Sequence, residues 1–310
     1  SALFQQSRWR IHYYLRAYLA NWQDMYADDD MVITISHLGY IKRTPLADFR
    51  SQARGGIGSK ASASRDQDFI EYVHQASMHS TMMFFTEMGR LYWLKVYEIP
   101  EGNKQSKGRA IQNIINLQKG DKVRAFINVK GLNDAEYVQN HYLIFATKNG
   151  LMKKTTLEAY SRPRANGIIA LSLREGDELI GVRLTDGESE MLIASYNGKV
   201  VRFPENTIRP MGRSASGVRA IKLDEDSQDR AVGMICVEKG SDKTVLVISD
   251  KGFGKRTALD DENGEPIYRI TNRGGKGVKT INITEKTGKL ISIQAVTDQN
   301  DLMIINRSGL

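Results

Sequence analysis

A repeated turn constrains the fold of this chain more than any other feature of its sequence. Six times an apolar segment runs into a turn that ends in glycine, and basic residues follow most of these glycines. The six turn glycines are Gly39, Gly89, Gly150, Gly198, Gly252 and Gly309. In every repeat the residues seven, six and four positions before the glycine are apolar, as a buried strand requires. The pattern predicts β-hairpins, because glycine readily adopts the positive φ of a tight turn.

A second set of glycines follows the first five turns after 17 to 25 residues, namely Gly58, Gly108, Gly167, Gly217 and Gly277. Successive turn glycines are 48 to 61 residues apart, which suits a four-stranded propeller blade. A single blade leaves its faces uncovered, so neighbouring blades must stack. The sequence therefore predicts an all-β, propeller-like domain over residues 31–310 with six blades, the last of which stops just after its turn.

Residues 1–30 do not carry the blade pattern, and residues 1–24 are predicted to be helical, so we expect a short N-terminal extension or linker. No apolar run approaches the roughly 20 residues that span a bilayer. No charged-then-apolar leader opens the sequence either. We therefore expect a cytoplasmic protein that does not engage a membrane. The single cysteine, Cys236, lies in an apolar stretch and is predicted to be a core residue.

The chain is basic, with a net charge of +8 and a pI near 9.4. Such an excess favours an acidic partner, nucleic acid first among them, although a membrane surface or simple solubility would also account for it. Basic residues recur just past the turn glycines, at Lys42, Arg43, Lys153, Lys154, Lys199, Arg202, Lys255 and Arg256. Equivalent positions in successive blades predict one basic rim that follows a phosphate backbone. The alternative is a set of edge lysines that discourage aggregation.

Two glycine clusters add to this prediction. They comprise Gln52, Arg54, Gly55, Gly56 and Gly58 in the first repeat and Arg273, Gly274, Gly275, Lys276 and Gly277 in the fifth. Glycines allow close approach of the backbone to a phosphate, and arginine adds a bidentate contact. A flexible loop is the alternative explanation. The second cluster does not satisfy the phosphate-loop pattern of nucleotide-binding proteins, so we do not expect ATP binding.

The sequence gives no sign of catalysis or of a bound cofactor. Its five histidines lack metal-ligand spacing, and its acidic residues form no recurring pair suited to acid–base chemistry. We therefore predict no catalytic residues, no metal site and no cofactor in this chain.

Several segments together resemble the C-terminal domain of the bacterial DNA gyrase A protein. They occur in family order over residues 25–310 and are MVITISHLGYIKRTPL at 31–46, QARGGIG at 52–58, SKGRAI at 106–111, YSRPRANG at 160–167, RPMGRSASGVRA at 209–220 and TNRGGKGVKT at 271–280. The family's hallmark is a seven-residue box, Q-R-R-G-G-K-G. Residues 52–58 match it at five positions, but Ala53 and Ile57 replace two basic residues.

This resemblance implies a β-pinwheel, a propeller variant in which blades exchange strands, with a basic rim that wraps and bends double-stranded DNA. It adds Arg213 to the expected DNA contacts. The implied partners are the gyrase B protein and the breakage-reunion domain of gyrase A, within an ATP-dependent type II topoisomerase that introduces negative supercoils. ATP and Mg²⁺ would then belong to other parts of that enzyme. The alternatives are the equivalent domain of topoisomerase IV and a protein-interaction propeller.

Overall fold

The structure of the chain is a computed structural model that describes residues 26–48, 68–129 and 131–300. These residues form five antiparallel sheets. The prediction of six blades is therefore wrong. The sixth predicted turn at residues 302–309 and the predicted helix at residues 1–24 both lie outside the described residues.

Each of the first four sheets has four strands and the fifth has three. In spatial order, the first contains β3 (Ile70–Ser77), β1 (Asp30–Ser36), β2 (Tyr40–Pro45) and β6 (Arg109–Ala110). The second contains β10 (Ile168–Ile169), β5 (Arg90–Lys95), β4 (Thr81–Thr86) and β7 (Val123–Val129). The third contains β11 (Leu179–Thr185), β8 (Tyr142–Thr147), β9 (Leu151–Thr156) and β14 (Val218–Arg219). The fourth contains β15 (Ala231–Val237), β12 (Glu190–Ser195), β13 (Lys199–Pro204) and β18 (Val278–Lys279). The fifth contains β17 (Gly254–Thr257), β16 (Thr244–Ser249) and β19 (Leu290–Val296).

Helices contribute little to the described residues. One α-helix, α1 (Ala135–Asn140), is capped at its N-terminus by the Asp134 side chain. Short 3-10 helices lie at Leu46–Asp48, Val96–Glu98, Ile111–Asn113, Leu157–Tyr160, Glu205–Thr207 and Glu225–Ser227. Every helix in this part of the chain is too short to cross a bilayer.

The described residues divide into two compact units. One comprises residues 26–48, 68–82 and 94–115, and the other comprises residues 83–93, 116–129 and 131–300. In the second unit, β7, β11, β15 and β19 contact one another in that order, so one strand from each sheet lies beside the equivalent strand of the next. Hydrophobic clusters fill the spaces between the successive sheets. The expectation that neighbouring blades bury each other's faces is confirmed for this unit.

The short strands belong to a strand exchange. Each of β6, β10, β14 and β18 follows the hairpin of one repeat in sequence, but it pairs with the second hairpin strand of the preceding repeat. Val218, for example, lies opposite Met152, and Val278 lies opposite Val200. Because the last strand of each sheet comes from the following repeat, this topology confirms the β-pinwheel that the family resemblance implied.

The turn glycines have the predicted conformation. The five in the described residues have φ between +76° and +81°. In the first four repeats, all twelve apolar residues that define the repeat are buried. In the fifth repeat, Leu246 and Ile248 are only half-buried, since no further described sheet covers their face. Burial thus accounts for the apolar pattern from which the hairpins were predicted.

Aspartate side chains cap these turns, a feature that the sequence prediction missed. Asp68, Asp121, Asp177 and Asp229 each accept a hydrogen bond, at 2.9–3.1 Å, from the backbone N–H of the residue before a turn glycine. Three of them also accept one from the next N–H in their own loop. Each aspartate therefore fixes the hairpin turn to the loop that leads into the same sheet.

The second set of glycines marks the strand exchange. Gly108, Gly167, Gly217 and Gly277 directly precede the four short strands and all have positive φ. A Cβ atom on any of them would lie 2.4–2.7 Å from a backbone carbonyl oxygen of the preceding repeat. These positions therefore require glycine for two reasons: their φ is positive, and a backbone carbonyl oxygen lies where a Cβ atom would be.

Substitution of Gly277 by alanine tests this close approach. Gly277 and Gly240 share nearly the same conformation, with φ of +75° and +77°, but only at Gly277 would a Cβ atom meet a backbone atom, Val200 O at 2.5 Å. Gly240→Ala should cost about 1–2 kcal/mol, from its positive φ alone. Gly277→Ala should cost about 1–3 kcal/mol more, because β18 must move. Urea unfolding of both variants measures the difference, and equal losses would contradict the close-approach explanation.

Candidate nucleic-acid interface

The basic residues just past the turn glycines are not the exposed rim that the sequence predicted. Lys42, Arg43, Lys153, Lys154 and Arg202 are all buried, with relative exposures of 1–6%. The burial of these five side chains contradicts an exposed rim at their positions, whereas their contact with DNA stays a prediction. Consecutive residues such as Lys42 and Arg43 point to opposite faces of a strand, and both faces are covered by other parts of the protein. Their partners are protein carbonyl and carboxylate groups.

In the first and third repeats, the third residue after the turn glycine is a lysine whose ammonium group donates hydrogen bonds to backbone carbonyl groups. The Lys42 ammonium donates to the carbonyl oxygens of Asn103, Lys104 and Ser106 at 2.8–3.0 Å. The Lys153 ammonium donates to Ala170 O at 2.6 Å and to Arg213 O. Burial, with a further contribution from the charge of Arg213, lowers the pKa of Lys153 to about 7. Both lysines therefore fix the loops that carry the exchange strands.

The fourth residue after the turn glycine reaches into the following repeat. The contacts are Arg43 to Glu101 at 3.0 Å, the Trp93 indole N–H to Tyr160 O at 3.1 Å, Lys154 to Glu205 at 2.9 Å and Arg202 to Asp260 at 2.9 Å. Glu205 is fully buried and also accepts hydrogen bonds from the Thr185 hydroxyl and the Ser189 N–H. This position is an inter-repeat connector in the first four repeats, whichever side chain occupies it.

Positive charge on the exterior is concentrated in the loops that lead into the exchange strands. We call residues 101–110, 161–170, 209–220 and 269–280 the crossover segments. They contain twelve basic residues and one acidic residue, a net charge of +11, whereas the whole chain carries +8. All other residues together therefore carry a net charge of −3. The excess of positive charge belongs entirely to the crossover segments.

These cations are available to a ligand. Ten of the twelve are exposed, and Lys104 and Lys107 are half-buried. None of the ten exposed cations forms a salt bridge with a carboxylate of the described residues. The Arg273 side chain is oriented by hydrogen bonds to the backbone, since its guanidinium donates to Thr207 O at 3.3 Å and to Arg219 O at 3.2 Å. The crossover segments therefore present cations whose charge the protein has not neutralised.

The other residues predicted from sequence have varied positions. Arg213, Arg273 and Lys276 are exposed on crossover segments. Of the three predicted glycines there, Gly274 and Gly277 have positive φ and Gly275 does not. Lys255 and Arg256 are exposed on β17, with Arg256 paired to Asp298 at 2.6 Å. Lys199 is half-buried and paired to Asp224 at 2.8 Å. Gln52, Arg54, Gly55, Gly56 and Gly58 lie outside the described residues.

Several exposed cations were missed by the site prediction. They are Arg109, Arg162, Arg164, Arg209, Arg219, Arg269 and Lys279. The signal that would have found them is the second glycine of each repeat, because all seven lie within eight residues of one. Register with the turn glycine selected five buried cations among its eight, whereas ten of the twelve cations in the crossover segments, which lead into the exchange strands, are exposed.

Crossover segments of the second unit adjoin one another. Lys153 joins residues 161–170 to residues 209–220 through its bonds to Ala170 and Arg213. Gly274 N–H donates to Ala220 O at 2.7 Å, and Lys222 N–H donates to Gly275 O at 2.8 Å. These bonds hold the cations of three successive segments on a connected stretch of backbone. Such an arrangement suits contact with a chain of phosphates better than with a single anion.

The described residues offer no group of three or more His, Cys, Asp or Glu side chains suited to a metal ion. Cys236 packs against Met191, with 3.5 Å between the sulfur atoms, and burial raises the pKa of its thiol to about 12. This thiol is therefore a poor nucleophile.

Comparison with known proteins agrees with this architecture. The family described as the DNA gyrase C-terminal domain, a β-propeller, matches residues 30–77, 80–130, 141–186, 189–238 and 243–297. These are five segments, as there are five sheets, and the match overturns the prediction of six blades. Each segment contains one turn glycine, so the turn repeat and the family repeat coincide.

Relatives and solved structures give the same result. The DNA gyrase A protein of Staphylococcus aureus (strain NCTC 8325 / PS 47) is 42% identical over 288 residues, which are 93% of this chain and 31% of that protein. The chain thus spans about a third of the length of such relatives. A DNA gyrase A C-terminal domain structure aligns with a TM-score of 0.70 at 23% identity, covering 87% of this chain and 84% of the other. A topoisomerase IV C-terminal domain aligns with a TM-score of 0.65 at 24% identity, covering 88% and 79%.

The buried Lys154–Glu205 pair gives a first prediction from the site. Glu205→Leu should cost about 3–5 kcal/mol of unfolding free energy, because it leaves the Lys154 ammonium buried without its carboxylate. The double variant Lys154→Met/Glu205→Leu should recover part of that loss. Thermal or urea unfolding of the two single variants and the double variant measures it. A double variant as unstable as the sum of the singles would show that the two charges do not interact.

Lys153 gives a prediction about pH. Below pH 7 this lysine is protonated in both the folded and the unfolded chain, so its contribution is constant. Between about pH 7 and about pH 10, the unfolded chain retains the proton and the folded chain loses it. The unfolding free energy of the wild type should therefore rise with pH relative to Lys153→Met over that interval. A constant difference in urea unfolding would show that the carbonyl acceptors keep Lys153 protonated.

Proposed function

The chain belongs to the family of DNA gyrase C-terminal domains, and from that premise we propose that it binds duplex DNA without sequence preference and bends it along its crossover segments. The observation that carries this proposal is the segregation of charge. The crossover segments hold a net charge of +11, and the rest of the chain is slightly negative. A surface with this distribution attracts a polyanion to one set of loops.

The chemistry of these loops suits the phosphate backbone. Most of their exposed cations are arginines, whose planar guanidinium forms bidentate bonds with phosphate oxygens. At Gly274 and Gly275 a Cβ atom would lie no closer than 3.5 Å to the described residues beyond its chain neighbours, so these two positions leave room for a phosphate to approach the backbone. Phosphate contacts carry no sequence information, so binding should be general for duplex DNA.

Bending requires contacts at more than one repeat. Smooth bending of 20–30 base pairs costs about 1–6 kcal/mol, and this must be offset by bonds along the curved path. The crossover segments supply them at intervals, because an exchange strand places one segment at the equivalent edge of each of the first four sheets. Within the second unit, backbone bonds join residues 209–220 to residues 269–280, so that part of the path is formed before DNA binds.

The role in a larger enzyme follows from the family. We propose that the chain acts as part of a gyrase A protein, next to its breakage-reunion domain and together with the gyrase B protein, where a wrapped duplex would supply the crossing needed for negative supercoiling. The chain itself would perform no chemistry. The nucleophilic tyrosine and the ATP and Mg²⁺ sites of that enzyme would lie in its other parts.

Salt dependence of DNA binding tests the binding proposal. Arg209→Gln/Arg213→Gln should lower the slope of log affinity against log salt by up to about 1.8, at about 0.9 for each phosphate that is no longer neutralised. Lys119→Gln/Lys239→Gln removes two exposed cations outside the crossover segments and should leave the slope nearly unchanged. Gel-shift titrations on random-sequence duplexes measure both. Equal effects of the two pairs, or no retention of wild-type complex at low salt, would refute binding through the crossover segments.

Supercoiling tests the role in the larger enzyme. An enzyme reconstituted with this chain as the C-terminal region of its gyrase A protein should introduce negative supercoils into relaxed plasmid when ATP is present. Relaxation or decatenation without supercoiling would instead favour the topoisomerase IV alternative.

A further inference from the structure

The cations of the second unit are not spread evenly. Six of them, Lys199, Arg219, Lys222, Arg273, Lys276 and Lys279, lie where the last two crossover segments meet; we call them the junction patch. Lys199 and Lys279 are direct partners across β13 and β18. Two like charges at such a position repel each other unless an anion lies nearby.

The junction arises from backbone bonds between the two segments. Residues Ile221 and Gly275 form a parallel bridge, flanked by the bonds from Gly274 N–H to Ala220 O and from Lys222 N–H to Gly275 O. A Cβ atom on Gly274 would lie 3.8 Å from Cγ of Arg219. Arg219 therefore lies within contact distance of the neighbouring segment, and the Arg273 guanidinium donates to the Arg219 carbonyl oxygen at 3.2 Å.

Among the described residues, one carboxylate forms a salt bridge with a cation of this patch. Asp224 pairs with Lys199 at 2.8 Å, and both side chains are partly exposed. The hydrogen bond and the charge of Lys199 hold the pKa of Asp224 below its usual value, and the charges of Lys276 and Lys222 lower it further. Asp224 is therefore an anion that lies close to three cations of the patch, Lys199, Lys222 and Lys276.

We propose that the junction patch is the principal anchor for the DNA phosphate backbone in the second unit, with Asp224 as an internal counter-ion that holds Lys199 until a phosphate replaces it. The inference rests on the proposed function and adds to it a ranking of the crossover segments. Residues 161–170 carry two exposed cations whereas residues 269–280 carry four, so we rank the contacts of residues 161–170 as secondary. DNA binding at the junction is an ion exchange, in which Lys199 moves from the carboxylate to a phosphate.

The first test compares two matched pairs of arginine and lysine substitutions in the full 310-residue chain. Arg273→Gln/Lys276→Gln removes two charges from the junction patch, and Arg162→Gln/Arg164→Gln removes two from residues 161–170. On a short duplex of about two helical turns, which favours the strongest site, the first pair should weaken binding at least about tenfold and the second less than about threefold. All four side chains are exposed, and thermal melting confirms that each variant is folded. Equal losses would overturn the ranking.

The second test is a double-mutant cycle on the counter-ion. Asp224→Asn should tighten binding to the same duplex by up to about fivefold, the range of an exposed ion pair, but only when Lys199 is present. In a Lys199→Gln background the same substitution should have little effect. Glu178→Gln, which releases Lys148 from a similar pair at 3.1 Å outside the crossover segments, is the control. An Asp224→Asn effect that does not depend on Lys199 would overturn the exchange.

The outcomes separate this inference from the proposed function. If the wild type fails to bind the duplex, the proposed function fails. If the wild type binds and the matched pairs lose affinity equally, only the anchor is refuted.

Discussion

The exchange of one strand between successive repeats is the interaction on which the rest of this structure depends. Each exchange strand is only two residues long, so its pairing bonds alone would hold it weakly. Three additional features hold it in place: a glycine that allows it to pass against a carbonyl oxygen, a buried lysine that binds the carbonyls of its loop in two repeats, and a connector side chain that reaches into the next repeat. The repeats are thereby linked in order.

The exchange divides the basic residues into two populations. Residues on the second hairpin strand become buried because the incoming segment covers them, and their charges are satisfied by carbonyls or by carboxylates such as Glu205. Residues on the incoming segment itself remain outside, since nothing in the described residues covers them. Lys255 and Arg256 support this explanation. They occupy the same turn-relative positions as the buried Lys153 and Lys154, but they are exposed on a sheet that has no fourth strand.

This division accounts for the distribution of charge that favours DNA as the ligand. The connector side chains link successive repeats. Because the charged ones are paired within the protein, they add little to the positive charge on its surface. The crossover segments then present ten exposed cations that have no carboxylate partner among the described residues, on loops that hydrogen-bond to neighbouring segments. A fixed array of arginines loses little conformational entropy when it meets a phosphate backbone, which is an advantage where the duplex must also be bent. Two such segments join at Ala220 and Gly274, next to the junction patch.

The sequence by itself determined the hairpins and the repeat, because burial and the positive φ of Gly39, Gly89 and their equivalents leave a local record in residue type. Its resemblance to a known family also indicated the strand exchange. The number of blades and the location of the exposed cations were decided by tertiary structure. Lys42 and Lys153 have the same sequence position relative to the turn glycine that exposed edge lysines would have. Only the pairing of a distant segment with their strand shows that they are covered. Burial of a charge depends on what packs over it, and that neighbour lies about 60 residues away in sequence.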